Sequence, residues 1–348
     1  MAIKKVAVIG HFGFGETLLN GQTIKTKILT EQLEKTFGED EVLKLDTKGG
    51  ISALVRLPFD VFGTLKNSQN IIILPAENGL RVISPLLIVL NVLFKRKLHY
   101  AVVGGWLPDF IADKKWLIWC LKKFGGIYVE TDIMKQKLEN LGLCNITVMP
   151  NCKHLDILNE NDLTITENAP YKLCTFSRVM KEKGMEEAVN AVKTINQKYG
   201  KTIYTLDIFG QVDTSQTEWF KNLESTFPEY INYGGMVDYD KSVETLKIYF
   251  ALLFPTYYEG EGLAGTVIDS FSAGVPVIAS DWRYNTEVVE DGVTGKIFET
   301  KNVDKLCEIL DEIYTSPQEW NSMKSNCLKQ AEKYLPENAT KVLISSLK

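Results

Sequence analysis

Residues 257–281 read YYEGEGLAGTVIDSFSAGVPVIASD. The apolar run before them, residues 249–255, has the length and content of a buried strand. Two acids, Glu259 and Glu261, stand in a glycine-rich turn, and Val267, Ile268 and Phe271 follow at helical spacing. Gly274 closes that helix, and residues 275–279 begin another strand. A strand, a glycine loop, a helix N-terminus and a carboxylate make a place to hold something phosphorylated. Glycines let backbone approach a ligand, and the unpaired N–H groups of a first helical turn favour an anion.

Working outward, the 348 residues are 45% hydrophobic and 24% charged, enough for two sizeable cores. The opening MAIKK leads straight into an apolar strand rather than a signal-peptide pattern, so a cytoplasmic chain is expected. Six cysteines (120, 144, 152, 174, 307 and 327) form no C-x-x-C pair and do not cluster with the three histidines. They read as reduced thiols. The net charge of −5 hides an asymmetry: residues 1–155 carry 20 Lys+Arg against 14 Asp+Glu, and acids dominate the remainder. A basic first half suits an anionic lipid or substrate, but no basic stripe interleaved with aromatics points to nucleic acid.

Short apolar strands alternate with helices along the first half, at 6–9, 42–45, 71–74, 100–103, 127–129 and 146–149. Thr131 is placed to cap a helix over 133–141. A polar, irregular stretch at 156–170 reads as a linker, after which the alternation restarts with a strand at 172–176, a helix at 186–199 and a strand at 202–209. Continuous apolar strands separated by helices imply parallel sheets covered on both faces. The expected class is therefore α/β, with two doubly wound Rossmann-like domains facing a cleft and ligands beyond the carboxyl ends of the strands.

From Lys172 onward the order of motifs resembles the retaining family-four glycosyltransferases (glycosyl transferases group 1, bacterial polysaccharide type), which have the two-domain GT-B fold. Ser177-Arg178-Val179-Met180-Lys181-Glu182-Lys183-Gly184 stands where that family has G-R-L-x-x-x-K-G. Gly210 and Gly234-Gly235 end strands; two acids eight residues apart follow, then the G-x-P-V-I-A-S run at 274–280 and E-V-V-x-D-G-x-x-G at 287–295. The first half departs more, with Asn20-Gly21-Gln22-Thr23 for a double-glycine loop and Pro150-Asn151 for P-N-G. The resemblance implies an acceptor-side domain over 1–160, a nucleotide-sugar domain over 161–330, and a C-terminal helix over 331–348 returning to the first domain.

It also implies roles. Arg178 and Lys183 bind the donor pyrophosphate, as cations stabilise charge on a leaving group. Counting back from Gly274 makes Glu261, not Glu259, the acid beside the donor sugar. Asp269 becomes the acid for the ribose hydroxyls, one methylene shorter than the usual glutamate; a carboxylate accepts from two vicinal hydroxyls. Gly21 and Gly210, with the backbone of Gly262, Leu263, Ala264, Gly265 and Thr266, approach phosphate and sugar. Family members transfer on one face without a protein nucleophile, and many carry a histidine after the strand matching 100–103; Gly104-Gly105-Trp106-Leu107 stands there instead. His11 and Asp109 are candidates for the acceptor side, while His99 reads as structural. Asp238-Tyr239-Asp240 is read as a helix start, and neither a metal nor a cofactor is expected.

The expected activity is transfer of a hexose from a nucleotide-diphosphate sugar, UDP before GDP, to a glycan or lipid-linked acceptor. Two stretches bear on the acceptor. Residues 82–94 are nearly all apolar and precede Lys95-Arg96-Lys97; residues 114–123 set two tryptophans between lysine pairs. Each reads either as a core helix or as an interfacial helix at the inner membrane face. Two other readings are a catalytically silent GT-B partner and an NAD-dependent oxidoreductase. The latter starts from Gly10-x-x-Gly13-x-Gly15 and Asp46, but its glycines do not fall as G-x-G-x-x-G.

Overall fold

The computed structural model describes residues 3–15, 21–48 and 50–348, with the backbone alone for 50–54. Met1, Ala2 and Asn20, which entered the sequence reading, lie outside the described residues. The chain divides into two compact units: Met1–His154 with Tyr334–Lys348, and Leu155–Lys333.

In the first unit six strands form one sheet: β1 Lys4–Gly10, β2 Val42–Asp46, β3 Ser68–Ile73, β4 Lys97–Ala101, β5 Gly126–Val129 and β6 Ile146–Val148. All pairings are parallel, in the order β2-β1-β3-β4-β5-β6. The apolar runs take this form because both faces are covered: Val6, Ala7, Val8 and Ile9 have no exposed surface. The connecting helices are α1 Gly21–Phe37, α2 Gly50–Asn67, α3 Glu77–Asn91, α4 Leu107–Ile111, α5 Lys115–Leu121 and α6 Asp132–Asn140. Helix α2 was not expected from the sequence. Helix α6 starts where its cap stands, the Thr131 hydroxyl accepting from the Met134 amide at 3.2 Å. Thr131→Ala is expected to destabilise this unit by about 1 kcal/mol, seen as a small fall in melting temperature; an unchanged melt would remove the capping role.

The last residues of the chain complete this core. Leu343 and Leu347 cluster with Val6, Val8, Leu29 and Leu33, and Ser346 Oγ lies 2.6 Å from Tyr128 Oη. They form two short helices, Pro336–Ala339 and Lys341–Ser346, rather than one, with Pro336 opening the first.

The second unit repeats the architecture with a different strand order. Its strands are β7 Tyr171–Phe176, β8 Tyr204–Phe209, β9 Ile231–Gly235, β10 Ala251–Phe254, β11 Val277–Ser280 and β12 Gly295–Phe298. They pair in parallel as β12-β11-β10-β7-β8-β9. Helices α7 Met185–Tyr199, α8 Thr217–Glu224, α9 Ser242–Leu246 and α10 Gly265–Ser272 lie between strands. Tyr171 stacks on Phe250 with ring centroids 4.4 Å apart, and the buried Trp320 donates to the Phe250 carbonyl. The stretch read as a linker, 156–170, runs along this unit: the Leu158 amide donates to Ser272 O at 2.9 Å.

Counting β7 as first, the order in this sheet is 3-2-1-4-5-6 reversed, so the winding direction changes between β7 and β10. Loops leaving two neighbouring strands in opposite directions open a crevice at their carboxyl ends. The loops concerned are residues 177–184 and 255–264.

Candidate functional site

The loop after β7 carries Arg178 and Lys183; the loop after β10 carries Glu261. At Gly210, which ends β8, φ is +136°, and a Cβ there would stand 1.8 Å from the Ser177 carbonyl oxygen. Only glycine lets the Arg178 loop lie against β8. Gly184 does the same on the other side: φ is +75°, and a Cβ would lie 2.3 Å from Pro255 O. That close approach presses the 3₁₀ turn Lys181–Lys183 against the end of β10.

Across this contact, Lys183 Nζ lies 2.5 Å from Glu261 Oε2, with side chains 12% and 8% exposed. The ammonium also sits over the Tyr258 ring, 5.0 Å from its centroid, and 5.7 Å from that of Phe254. The Thr256 hydroxyl, fully buried, donates to the same carboxylate oxygen at 2.9 Å and accepts from the Tyr258 amide at 3.2 Å. Further bonds fix the loop: Tyr257 N to Glu182 O at 2.7 Å, Ser280 Oγ to Thr256 O at 2.6 Å and Trp282 Nε1 to Tyr258 O at 2.8 Å. Burial, then Glu187, Glu182 and Glu186, push the Tyr257 hydroxyl up to about 12, so it stays a donor at neutral pH.

Glu259 is placed differently. Its carboxylate is exposed and pairs with Arg283. Asp269, on α10, is 3% exposed and accepts from Ser242 Oγ at 3.0 Å; it does not decorate the helix surface. Between Glu261 and α10 run Gly262, Leu263 and the N-cap residue Ala264, which gives the helix no side-chain cap. Gly265 and Thr266 form its first turn, and the buried Thr266 hydroxyl has no hydrogen-bond partner among the described residues. An uncapped first turn leaves N–H donors for an anion.

Arg178 and Lys183 do not share a partner. Arg178 Nη1 lies 3.7 Å from Asp213 Oδ2, and its side chain is 57% exposed. Ser215, through hydroxyl and amide, holds the Asp213 carboxyl below its usual range, with Arg178 a smaller contribution. In the first unit Gly21 opens α1, and a Cβ added to it would meet nothing within 4 Å among the described residues. His11 Nδ1 lies 2.8 Å from Thr23 Oγ1. His99 is buried on β4 and burial lowers its pKa to about 4, so it is neutral at physiological pH. Asp109 lies in α4, and Asp238 precedes the turn Tyr239–Lys241 that leads into α9.

Sequence reasoning missed three features. Thr256 and Ser242 anchor the two acids, and a single hydroxyl residue in a loop or at a helix start carries no periodic signal. The third is a buried ion pair in the first unit: Lys25 Nζ lies 2.6 Å from Glu130 Oε1 and 2.8 Å from Val102 O. A lysine within a helix pattern reads as a surface residue, and only the fold brings Glu130 to it.

Residues 161–333 match the family model described as glycosyl transferases group 1. The second unit is thus a glycosyl transferases group 1 domain, and the match spans just under half of the chain. Among curated relatives, the chain is 29% identical over 173 residues to an uncharacterised 41.2 kDa protein of the cps region of Klebsiella pneumoniae, covering 49% of this chain and 42% of that one. It is 26% identical over 170 residues to poly(glycerol-phosphate) alpha-glucosyltransferase of Bacillus subtilis strain 168, covering 48% and 24%. The matched part thus spans less than half the length of these relatives. Over nearly its whole length the chain is similar in fold to Anabaena HepE, solved in complex with UDP: TM-score 0.76, 13% identity, 99% of each chain covered. The fold is GT-B, two Rossmann-like α/β units.

Proposed function

We propose that this group 1 protein is a retaining glycosyltransferase that moves a hexose from a nucleotide-diphosphate sugar, UDP-linked in preference to GDP-linked, to a glycan or lipid-linked acceptor in the cytoplasm. The observation that carries the reading is the Lys183–Glu261 pair, held at the switch point of the second sheet beside the uncapped first turn of α10. HepE, similar in fold, was solved with UDP, and the Bacillus relative is named an alpha-glucosyltransferase. Both support the donor class.

In this reading Lys183 and Arg178 meet the donor diphosphate, whose charge grows as the bond from the anomeric carbon to the phosphate oxygen breaks. Preorganised cations in a partly dry site stabilise that charge more than water does. Amides of Gly262, Leu263, Ala264, Gly265 and Thr266 face the distal phosphate and sugar, Asp269 the ribose hydroxyls, and Glu261 the sugar. Gly210 shapes the Arg178 loop. The acceptor hydroxyl attacks on the face the diphosphate leaves. Its proton passes to the departing phosphate oxygen, so configuration is kept without a protein nucleophile.

UDP is expected to raise the melting temperature of the purified chain, and NAD(H) to leave it unchanged. At a hundredfold excess over Kd a ligand stabilises by about 2.7 kcal/mol, worth several degrees here. A rise with NAD(H) and none with any nucleoside diphosphate would overturn the donor assignment.

A further inference from the structure

We propose that the outer face of helices α2, α3 and α5 docks on the anionic leaflet of a membrane; this stands independently of the transfer chemistry. The connections from β2 to β3, β3 to β4 and β4 to β5 all advance the same way across the first sheet, so right-handed crossovers put their helices on one face. Helix α2 touches α3, and α3 touches α5. Phe62 of α2 meets Phe94, just past α3, edge to face at 5.1 Å. Arg96 Nε donates to Leu65 O at 2.9 Å and ties the same ends together.

These helices expose large apolar side chains as well as the charged Arg56, Asp60, Arg81 and Lys115. On α2, Val55, Phe59 and Phe62 recur at helical spacing and are 67%, 78% and 41% exposed, while Val61 and Leu65 fill the core. On α3, Val82 and Val89 repeat the pattern at 40% and 69%, and Leu93, two residues past its end, is 71% exposed. Trp116 and Trp119 of α5 are 48% and 56% exposed. A soluble helix ordinarily turns polar residues outward, and an apolar face spread over three adjacent helices marks a contact surface.

Charge selects the partner. Residues 50–67, 77–97 and 114–123 hold ten Lys and Arg against two Asp and Glu, in a chain whose net charge is −5. The cations gather at helix ends: Lys95, Arg96 and Lys97 after α3, Lys122 and Lys123 after α5, with Lys123 Nζ 5.5 Å from the Trp119 ring. A second copy packed face to face would set these cations against each other. Apolar residues that enter the acyl boundary, tryptophans at headgroup depth and lysines on anionic headgroups satisfy all three features together.

The test is flotation of the full chain with vesicles of phosphatidylcholine alone or mixed with phosphatidylglycerol. The chain is expected to float with the mixed vesicles and less so as salt rises. Lys122→Gln with Lys123→Gln should weaken that binding about thirtyfold, the worth of two cations on an anionic leaflet. Phe59→Ser with Trp119→Ser should weaken it comparably, and both double variants should melt like the parent because the altered side chains are exposed. No flotation with mixed vesicles, or equal flotation of parent and variants, would overturn the proposal. So would a concentration-dependent dimer that the variants abolish in a chain that never floats.

Discussion

Glu261→Gln is expected to lower transfer by about 10²- to 10³-fold while donor binding changes far less. The amide keeps the shape of the side chain and can still accept from the Thr256 hydroxyl, which stands 2.9 Å from the carboxylate. What it removes is the negative charge 2.5 Å from Lys183 Nζ. That pair is nearly buried, so the charge is felt at a low effective dielectric, where orientation of the ammonium depends on its partner. Thr256→Val should show the same split more weakly, since it removes the bond that aims the carboxylate and leaves the charge. Arg178→Ala, by contrast, should weaken donor binding and turnover together, because Arg178 is exposed and the Asp213 carboxylate holds it only loosely, at 3.7 Å. Single-turnover transfer beside titration with UDP separates these outcomes. Normal turnover in Glu261→Gln would sink the site.

Gly210→Ala is the second large effect, and it falls on the backbone first. A φ of +136° lies in a region L-residues hardly enter, at about 1–3 kcal/mol. The added methyl would overlap the Ser177 carbonyl oxygen at 1.8 Å, with backbone on both sides and nothing flexible to move. Overpacking of this kind adds about 1–3 kcal/mol. The melt of the second unit should therefore fall by many degrees, and the Arg178 loop should lose its seat on β8. Gly21→Ala is the control: among the described residues a methyl there meets nothing within 4 Å, at the first residue of a helix. Its melt should match the parent, so any loss of transfer would report ligand approach. Equal melts for Gly210→Ala and parent would refute the backbone argument.

The strands were legible because apolar runs such as 6–9 and 251–254 are buried on both faces and bounded by glycine, proline or acid. The site loops were legible in part: spacing from Gly274 separates Glu261 from Glu259, and the structure buries the first and exposes the second. Helix α2 escaped because Val55, Phe59 and Phe62 are apolar where a helix should show water a polar face, and Pro58 interrupts it. Thr256 and Ser242 escaped for another reason. Their meaning comes from which carboxylate the fold brings within reach, and no local pattern records that.

Leu343 and Leu347 pack among Val6, Val8 and Leu29, although nearly the whole chain separates them. During synthesis the first unit therefore waits: its opening strands are made early, yet Leu343 and Leu347, which finish their core, emerge only after the second unit. The second unit has all of its sheet, Tyr171–Phe298, before that moment. Contacts this distant in sequence form slowly, and domains consolidate as units. The second unit is thus free to set first, and the first to close around residues made after it.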